Sequence, residues 1–247
     1  VTVTRDGFQY ELHFEKGVNI GGLKKTPINS KKTGTIQRWM PDDDVFTDII
    51  IPSEYFRTTL KQQAVVNKGV TFEFIDEKDG TKEEFCYPEG ILGMVREMNV
   101  DGLTQPVLFS GEGVGRDQKD RDDYTTKCDV AFAFNNHHAE IFYYHNSSWL
   151  EYGGSPDRAV RSAFVSAFDT FLKEEGKYRA NEAKITFGDI EESLLLMSSS
   201  FSTVTSYENQ TKRSINNRFI QRFMTDMIRE NLTVWFIERR EEALRAA

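Results

Sequence analysis

The residues best suited to chemistry form a short polar run, Asn209-Gln210-Thr211-Lys212, just before a helical pattern. Gln210 offers amide donors, Thr211 offers a hydroxyl, and Lys212 carries a flexible ammonium suited to phosphate. A cation at a helix N-terminus is disfavoured by roughly 0.3–1 kcal/mol when exposed, because the free N–H groups there already carry partial positive charge. Two interpretations follow. Either the lysine and the helix start hold an anion between them, or Ser214 caps the helix and Lys212 is a solvated loop residue.

The other candidate groups give weaker signals. His137 and His138 are adjacent and would point to opposite faces of a strand, so together with His145 they do not predict a metal site. The glycine-rich run 111–115 is like a phosphate-binding loop, but no helical pattern follows it, which favours a flexible loop. The hydroxyl of Thr35, at the start of a strand pattern, can bind a nucleotide base or simply serve the turn.

Composition limits the class of protein. The chain has 247 residues, is 38% hydrophobic and 28% charged, and carries a net charge of -8. This profile is typical of a soluble globular protein and argues against nucleic-acid binding over the whole surface. No segment has the apolar length of a membrane span, so no membrane association is expected. Two cysteines far apart in the sequence favour a reducing compartment.

The first hundred residues predict two hairpins, a polar loop, a short strand and two helices. The hairpins cover 1–14 and 70–87, the loop 16–32, the strand 33–41, and the helices 53–67 and 90–99. Asp6-Gly7 and Asp79-Gly80 supply the positive-φ residues that the two hairpin turns require.

Beyond a linker at 101–106, a second set of elements is predicted. It comprises a charged loop at 110–126, strand–turn–strand units at 128–146 and 183–206, a helix at 156–175, and closing helices at 214–230 and 233–247. The helix at 156–175 has the clearest pattern, with Ser155 as the expected cap, Pro156 in its first turn and Gly176 as its stop. Helices mixed with mostly antiparallel hairpins predict an α+β fold in two parts.

Taken in chain order, seven segments resemble the ATPase region of the B subunit of DNA gyrase and of its topoisomerase IV counterpart. The run "NQTK" followed by a long helix, within 207–212, is the most specific of them. The others are 1–17, 33–46, 60–80, 85–99, 130–146 and 152–164. Each segment is weakly specific alone, but the order in which they occur is specific. The similarity covers nearly the whole chain.

The resemblance implies a fold and a domain organisation. Residues 1–100 would be the C-terminal part of a GHKL (Bergerat) ATPase domain, an α/β sandwich. Residues 101–247 would be a transducer domain with a βαβ left-handed crossover, ending in a long helix. The chain would be the ATP-sensing and transducing segment of a type IIA topoisomerase B subunit. It would couple ATP binding and hydrolysis to DNA-gate movement.

The resemblance also assigns roles to residues. Gln210 and Lys212 would contact the γ-phosphate of ATP bound in the neighbouring domain, with Thr211 between them in the same loop. Thr35 would contact the adenine, often through water. Arg161 would face the cavity through which DNA passes. ATP and Mg would be the cofactors of the full-length protein, with none expected on this segment alone.

Partners and location follow from the same resemblance. The expected partners are DNA, held in the clamp of the full-length protein, a second B subunit in a homodimer, and the topoisomerase A subunit. The expected location is the bacterial cytoplasm. The resemblance fits gyrase and topoisomerase IV equally well and does not distinguish between them.

Several positions depart from the family pattern. The family histidine before the long transducer helix is Pro156 here, and two positions of the cavity lining are Ser166 and Asp169, which makes the lining less basic. Glu191 replaces an arginine and Ser193 a glycine. The alternative function is therefore a non-catalytic binding module of a GHKL relative, of the mismatch-repair or chaperone type. Those relatives lack the Gln-Thr-Lys spacing, which favours the topoisomerase interpretation.

We expect the isolated chain to show no ATP hydrolysis. The resemblance places the catalytic Glu and the Mg-binding Asn upstream of Val1, and hydrolysis needs a general base within hydrogen-bond reach of the attacking water. A steady-state phosphate-release assay on the purified chain checks this expectation. Turnover above a no-protein control would contradict it.

Overall fold

A computed structural model describes all residues from 1 to 247. The chain divides into two compact units, Val1–Ser53 and Glu54–Ala247, which are described separately below. No helix in either unit is both long and apolar enough to span a bilayer. The predicted functional boundary near residue 100 stays a prediction.

The first unit is a four-stranded antiparallel sheet. Its strands are β1 (Thr2–Arg5), β2 (Phe8–Glu15), β3 (Val18–Pro27) and β4 (Gly34–Ile36), in the spatial order β3-β2-β1-β4. Asp6 and Gly7 adopt φ values of 51° and 76°, so the predicted turn of the first hairpin is confirmed. β4 holds Thr35 opposite Val3 of β1.

The prediction of a loop at 16–32 was wrong, because β3 occupies Val18–Pro27. Lys16 and Gly17, both at positive φ, turn the chain back so that β3 pairs with β2. Every residue of β3 is exposed. A strand with no buried face has no apolar alternation, and that alternation is what reveals a strand in a sequence.

The remaining elements belong to the second unit, except for Ser53, the first residue of the first helix. They are α1 (Ser53–Val66), β5 (Phe72–Asp76), β6 (Thr81–Phe85), α2 (Ile91–Met98), β7 (Val107–Gly115), β8 (Tyr124–Phe134), β9 (Glu140–His145), β10 (Ser148–Trp149), α3 (Ser155–Glu174), α4 (Phe187–Glu191), β11 (Leu194–Ser202), α5 (Arg218–Glu238) and α6 (Arg240–Ala246). The predicted hairpin at 70–87 and the helices at 53–67, 90–99 and 156–175 are confirmed within a few residues.

A five-stranded mixed sheet organises this unit, in the order β10-β9-β11-β8-β7. β11 lies between β8 and β9, antiparallel to β8 and parallel to β9. β9, α3 and β11 therefore form the βαβ unit that the resemblance implied. The strand–turn–strand prediction for 128–146 is confirmed, although β8 and β9, which follow each other in sequence, are not neighbours in the sheet.

Both faces of this sheet are buried. On β8, Phe132 and Phe134 face α3 and α5, where Phe132 packs edge-on against Trp235 with ring centroids 5.6 Å apart. The alternate residues Ala131 and Ala133 face the opposite side, toward α2. The alternation of large and small side chains along β8 thus follows the period-2 geometry of a strand covered by helices on both sides.

The glycine-rich run 111–115 belongs to β7 and is neither a phosphate loop nor a flexible loop. Gly111, Gly113 and Gly115 alternate along the strand and lie under aromatic rings of α5. A Cβ built on Gly113 would stand 2.7 Å from ring atoms of Phe223, and one on Gly115 would stand 2.4 Å from Phe219. The glycines are required because α5 packs its rings directly on the backbone of β7.

Three helix limits differ from the sequence prediction. Residues 183–186 are not a strand, and Thr186 and Asp189 form a capping box that begins the short helix α4. Gly154, not Ser155, is the residue before α3. The closing helix begins at Arg218 rather than at 214 and continues without a break to Glu238, because its buried apolar stripe continues through Leu232, Trp235 and Phe236.

We expect Gly113→Ala to destabilise the protein by about 1–3 kcal/mol, since the new methyl group forces Phe223 or α5 to shift. Urea unfolding measures this through the transition midpoint. Gly188→Ala is the matched control, because its Cβ meets its nearest neighbour at 3.5 Å inside a helix. It should be neutral or stabilising by up to about 1 kcal/mol. Equal midpoints for the two variants would contradict the packing argument.

Candidate functional site

The Gln-Thr-Lys run lies at the tip of a short hairpin-like loop. Tyr207 and Ile215 pair antiparallel at its base. At the tip, the Lys212 N–H donates to the carbonyl of Asn209 over 3.2 Å, closing a turn. Gln210 fills a middle position of that turn. We call residues 207–215 the tip loop.

The side chains of the turn are exposed and differ in their partners. Thr211 Oγ1 donates to Asn209 Oδ1 over 2.5 Å, which steadies the turn from within. Lys212 sits in the left-handed backbone region at φ 57°, which a side-chain-bearing residue adopts uncommonly. Its ammonium makes no ion pair. The Nζ atom lies over the Tyr207 ring, 5.6 Å from the ring centroid.

Arg213, the neighbouring cation, is paired with a carboxylate. Arg213 is held by Glu151, with 2.8 Å between Nη1 and Oε2, and its carbonyl accepts from the Tyr152 N–H over 3.0 Å. Of the two adjacent charges at 212 and 213, only that of Lys212 is left without a carboxylate. An anion approaching the tip loop would therefore meet a free ammonium.

The side-chain carboxylate of Asp117 lies at the N-terminus of α5. Its Oδ1 accepts from the Phe219 N–H over 2.7 Å and from the Tyr124 hydroxyl over 2.8 Å, while its Oδ2 accepts from Asn217 Nδ2 over 3.0 Å. A carboxylate at this position satisfies free N–H groups and the helix dipole together. Burial first, and then the bond to Asp117, raises the pKa of Tyr124.

Neither interpretation placed the helix start correctly, but Lys212 is an exposed loop residue, as the second one predicted. Lys212 is six residues before the start of α5 at Arg218. Ser214 is buried in the tip loop and does not cap the helix. The anion at the helix start is the protein's own Asp117, 102 residues before Phe219 in sequence. No local spacing signals a cap that comes from so far away.

The residues at the start of α3 contact the C-terminal end of the tip loop. Gly154 forms a parallel bridge with Ile215, and the Ser155 N–H donates to the Ile215 carbonyl over 2.8 Å. Gly154 has φ 84°, and a Cβ there would stand 2.2 Å from that carbonyl oxygen. Ser155 Oγ also donates to the Ile215 carbonyl, over 3.2 Å. The hydroxyl predicted as a helix cap therefore binds the tip loop instead.

A buried histidine fixes the chain between β11 and the tip loop. His145 is fully buried. Its Nδ1 lies 2.8 Å from Ser200 Oγ, and its Nε2 lies 2.9 Å from Thr205 Oγ1 and 3.2 Å from Ser202 Oγ. Burial lowers the pKa of His145 to about 4. The neutral ring is therefore a structural hydrogen-bonding group, and its nitrogens are engaged by hydroxyls.

Arg161 lies on α3 among compensating groups. Its Nε donates to Asp157 Oδ1 over 2.8 Å, and its Nη2 lies 3.3 Å from Glu191 Oε2. Its guanidinium also stacks 4.3 Å from the centroid of the Phe187 ring. Glu191, which replaces an arginine of the family pattern, is thus one of two carboxylates that balance this cation. The assignment of Arg161 to a DNA cavity stays a prediction.

Thr35 belongs to the first unit. It is exposed on β4, the three-residue strand that pairs with β1. An edge strand three residues long leaves the Thr35 hydroxyl accessible to a ligand. Its predicted contact with adenine stays a prediction.

The family model described as DNA gyrase B matches residues 70–246. The chain belongs to the DNA gyrase B family.

Individual relatives agree with this assignment. The B subunit of DNA topoisomerase 4 from Bacillus subtilis (strain 168) is 28% identical over 249 residues, covering 98% of this chain and 36% of that protein. The B subunit of DNA gyrase from Chlamydia pneumoniae is 25% identical over 243 residues, covering 96% of this chain and 29% of that protein. The chain thus spans about a third of the length of these curated relatives.

Solved structures show the same fold. The topoisomerase IV ATP-binding domain of Francisella tularensis, in complex with a small-molecule inhibitor, superposes with a TM-score of 0.76 at 21% identity, covering 99% of this chain and 65% of that one. The 43K ATPase domain of Thermus thermophilus gyrase B, in complex with an aminocoumarin, gives a TM-score of 0.70 at 21% identity, covering 100% of this chain and 67% of that one.

We expect the free energy of unfolding to fall as the pH drops from about 6.5 to 4. The pKa of His145 is about 4 in the folded chain, and an unfolded histidine titrates near 6.5, so over this range the unfolded state binds the extra proton. The loss attributable to His145 is about 3 kcal/mol.

Urea unfolding across this pH range measures the loss in the parent and in His145→Gln, which should lack this component. His137→Gln is the control, because His137 is exposed and its replacement should leave the pH profile unchanged. A His145→Gln profile that matches the parent would contradict the assignment.

Proposed function

We propose that this chain is the ATP-sensing and transducing segment of a type IIA topoisomerase B subunit. Lys212 and Gln210 would contact the γ-phosphate of ATP bound by a preceding domain, with Thr211 beside them. The observation that carries the proposal is the tip loop itself. It holds one unpaired ammonium at an exposed turn and is tied down at both ends.

The donor set of the tip loop fits a terminal phosphate. An ammonium and a side-chain amide are donors to phosphate oxygens, and neither side chain carries a negative charge that would repel the ligand. ATP would supply the γ-phosphate, and the loop would contact it only while ATP is bound. No carboxylate lies in the turn 209–212, so Mg²⁺ would be held by the preceding domain. Thr35 would contact the adenine.

The way in which the loop is anchored supports a transducing role. The segment between β11 and the loop is held by His145, which contacts Thr205. The segment after the loop leads into α5, whose first turn is bound by Asp117. A force on Lys212 would therefore reach the central sheet and the longest helix of the chain. Hydrolysis would change the contact at the tip, and α5 with α6 would pass the change toward the DNA-cleaving regions.

Partners are proposed from the family. They are DNA held in the clamp, a second B subunit forming a homodimer, and the A subunit, in the bacterial cytoplasm. Asp157 and Glu191 balance Arg161, so this part of α3 would attract DNA less than an uncompensated arginine would.

That same charge balance favours a second candidate, a non-catalytic binding module of a GHKL relative. The two candidates differ in what Lys212 does. A binding module of this fold would not need Lys212 for nucleotide turnover, whereas the topoisomerase segment would.

We expect Lys212→Ala to reduce ATP hydrolysis by about 10- to 150-fold in a polypeptide that carries the ATP-binding segment together with this chain. A charge-assisted hydrogen bond to phosphate is worth about 1.5–3 kcal/mol, and its loss in the transition state has this effect on rate. Steady-state kcat and KM measure the change.

Arg213→Ala is the matched control, because it removes an adjacent positive charge that Glu151 already holds. It should leave the rate within about threefold, since an exposed ion pair of this kind contributes little. An unchanged rate for Lys212→Ala would favour the binding module, and equal losses for both variants would show that general charge, not a sensing contact, is involved.

A further inference from the structure

A cavity of about 370 Å³ lies between α1, β6 and α2 on one side and β9 and β11 on the other, entirely within the second unit. We call it the α1–β9 cavity. Its apolar lining is formed by Val65, Phe85, Met94, Phe142, Tyr144 and Met197. Its size falls in the range of small-molecule sites, which are about 300–1,000 Å³. The two methionines can adapt their side chains to different ligand shapes.

The charged groups that line the cavity are held in ion pairs, and Glu54 also lies 3.9 Å from Arg57. Arg57 Nε lies 2.5 Å from Glu83 Oε1, and Lys61 Nζ lies 2.8 Å from Glu97 Oε1. A charged ligand would have to break one of these pairs to gain its own partner. The mouth therefore favours an uncharged molecule.

Among the lining residues, Tyr144 brings a hydroxyl that makes no hydrogen bond within the chain. Tyr144 is only 1% exposed. Burial is the one influence that raises its pKa, to about 12, with no hydrogen bond contributing. A hydroxyl with no hydrogen bond inside the chain is free to donate to an acceptor brought into the cavity. As a neutral phenol, Tyr144 can donate to a carbonyl oxygen.

We propose that the α1–β9 cavity binds a small uncharged molecule with an apolar, aromatic-sized body and one hydrogen-bond acceptor, to which the Tyr144 hydroxyl donates. The apolar body contacts Met94, Met197 and Phe142, and the acceptor reaches Tyr144. This site is separate from the tip loop and does not depend on its role.

Two matched probes test the proposal by calorimetric titration of the full chain. They are 2-acetylnaphthalene, which carries a carbonyl, and 2-ethylnaphthalene, which has a similar shape without it. We expect the ketone to bind about three- to tenfold more tightly, as one hydrogen bond to an otherwise unpaired hydroxyl provides. Failure of both probes to bind would overturn the proposal.

Two tyrosine variants locate the contact. Tyr144→Phe should remove the preference for the ketone while keeping the cavity. Tyr143→Phe is the matched control. It removes a buried hydroxyl without a hydrogen-bond partner on the opposite face of the same strand, and it should keep the preference. A preference that survives Tyr144→Phe, or that Tyr143→Phe also removes, would overturn the assignment.

A third variant tests the location of the apolar body. Gln62 lies on the face of α1 that lines the cavity and is only half-buried, so Gln62→Trp can fill the mouth without disturbing the core. It should weaken the binding of both probes at least tenfold, and thermal unfolding without ligand should confirm that it folds. Unchanged affinity in Gln62→Trp would show that the probes bind elsewhere.

Discussion

The insertion of β11 between β8 and β9 is the constraint on which the rest of the second unit depends. Because β11 runs parallel to β9, the chain must cross from one end of the sheet to the other, and α3 makes that crossing. The same insertion brings the end of β11 beside His145 at the end of β9. The segment that leaves β11 therefore starts from a fixed position, and the tip loop follows from it.

The tip loop is held to the rest of the second unit at both of its ends. His145 and its hydroxyl partners hold the chain before the loop, Gly154 pairs with Ile215 at its C-terminal end, and Asp117 holds the helix that follows. Each hydrogen bond contributes only about 0.5–1.5 kcal/mol net, but the bonds act on a segment of a few residues. The turn that carries Lys212 has hydrogen bonds only within itself.

Charge distinguishes the two cations to which the family pattern assigns roles. Lys212 has no carboxylate partner, whereas Arg161 has two, Asp157 and Glu191. A free ammonium keeps its full attraction for phosphate, while a paired guanidinium offers a DNA backbone much less. The divergence at Glu191 therefore changes the electrostatics of α3 and leaves those of the tip loop untouched.

The sequence by itself determined the features that are set locally or by family pattern. Asp6-Gly7 fixed a hairpin turn, the apolar stripe of residues 159–172 fixed α3, and the ordered segments ending in Gln210-Thr211-Lys212 fixed the family. The tertiary structure alone decided that β3 is a strand, that β11 separates β8 from β9, that glycines of β7 lie under α5, and that Asp117 caps α5. Each of these depends on groups far apart in the chain. Local propensity and spacing describe only neighbours, and such partners are chosen by packing and hydrogen bonding in three dimensions.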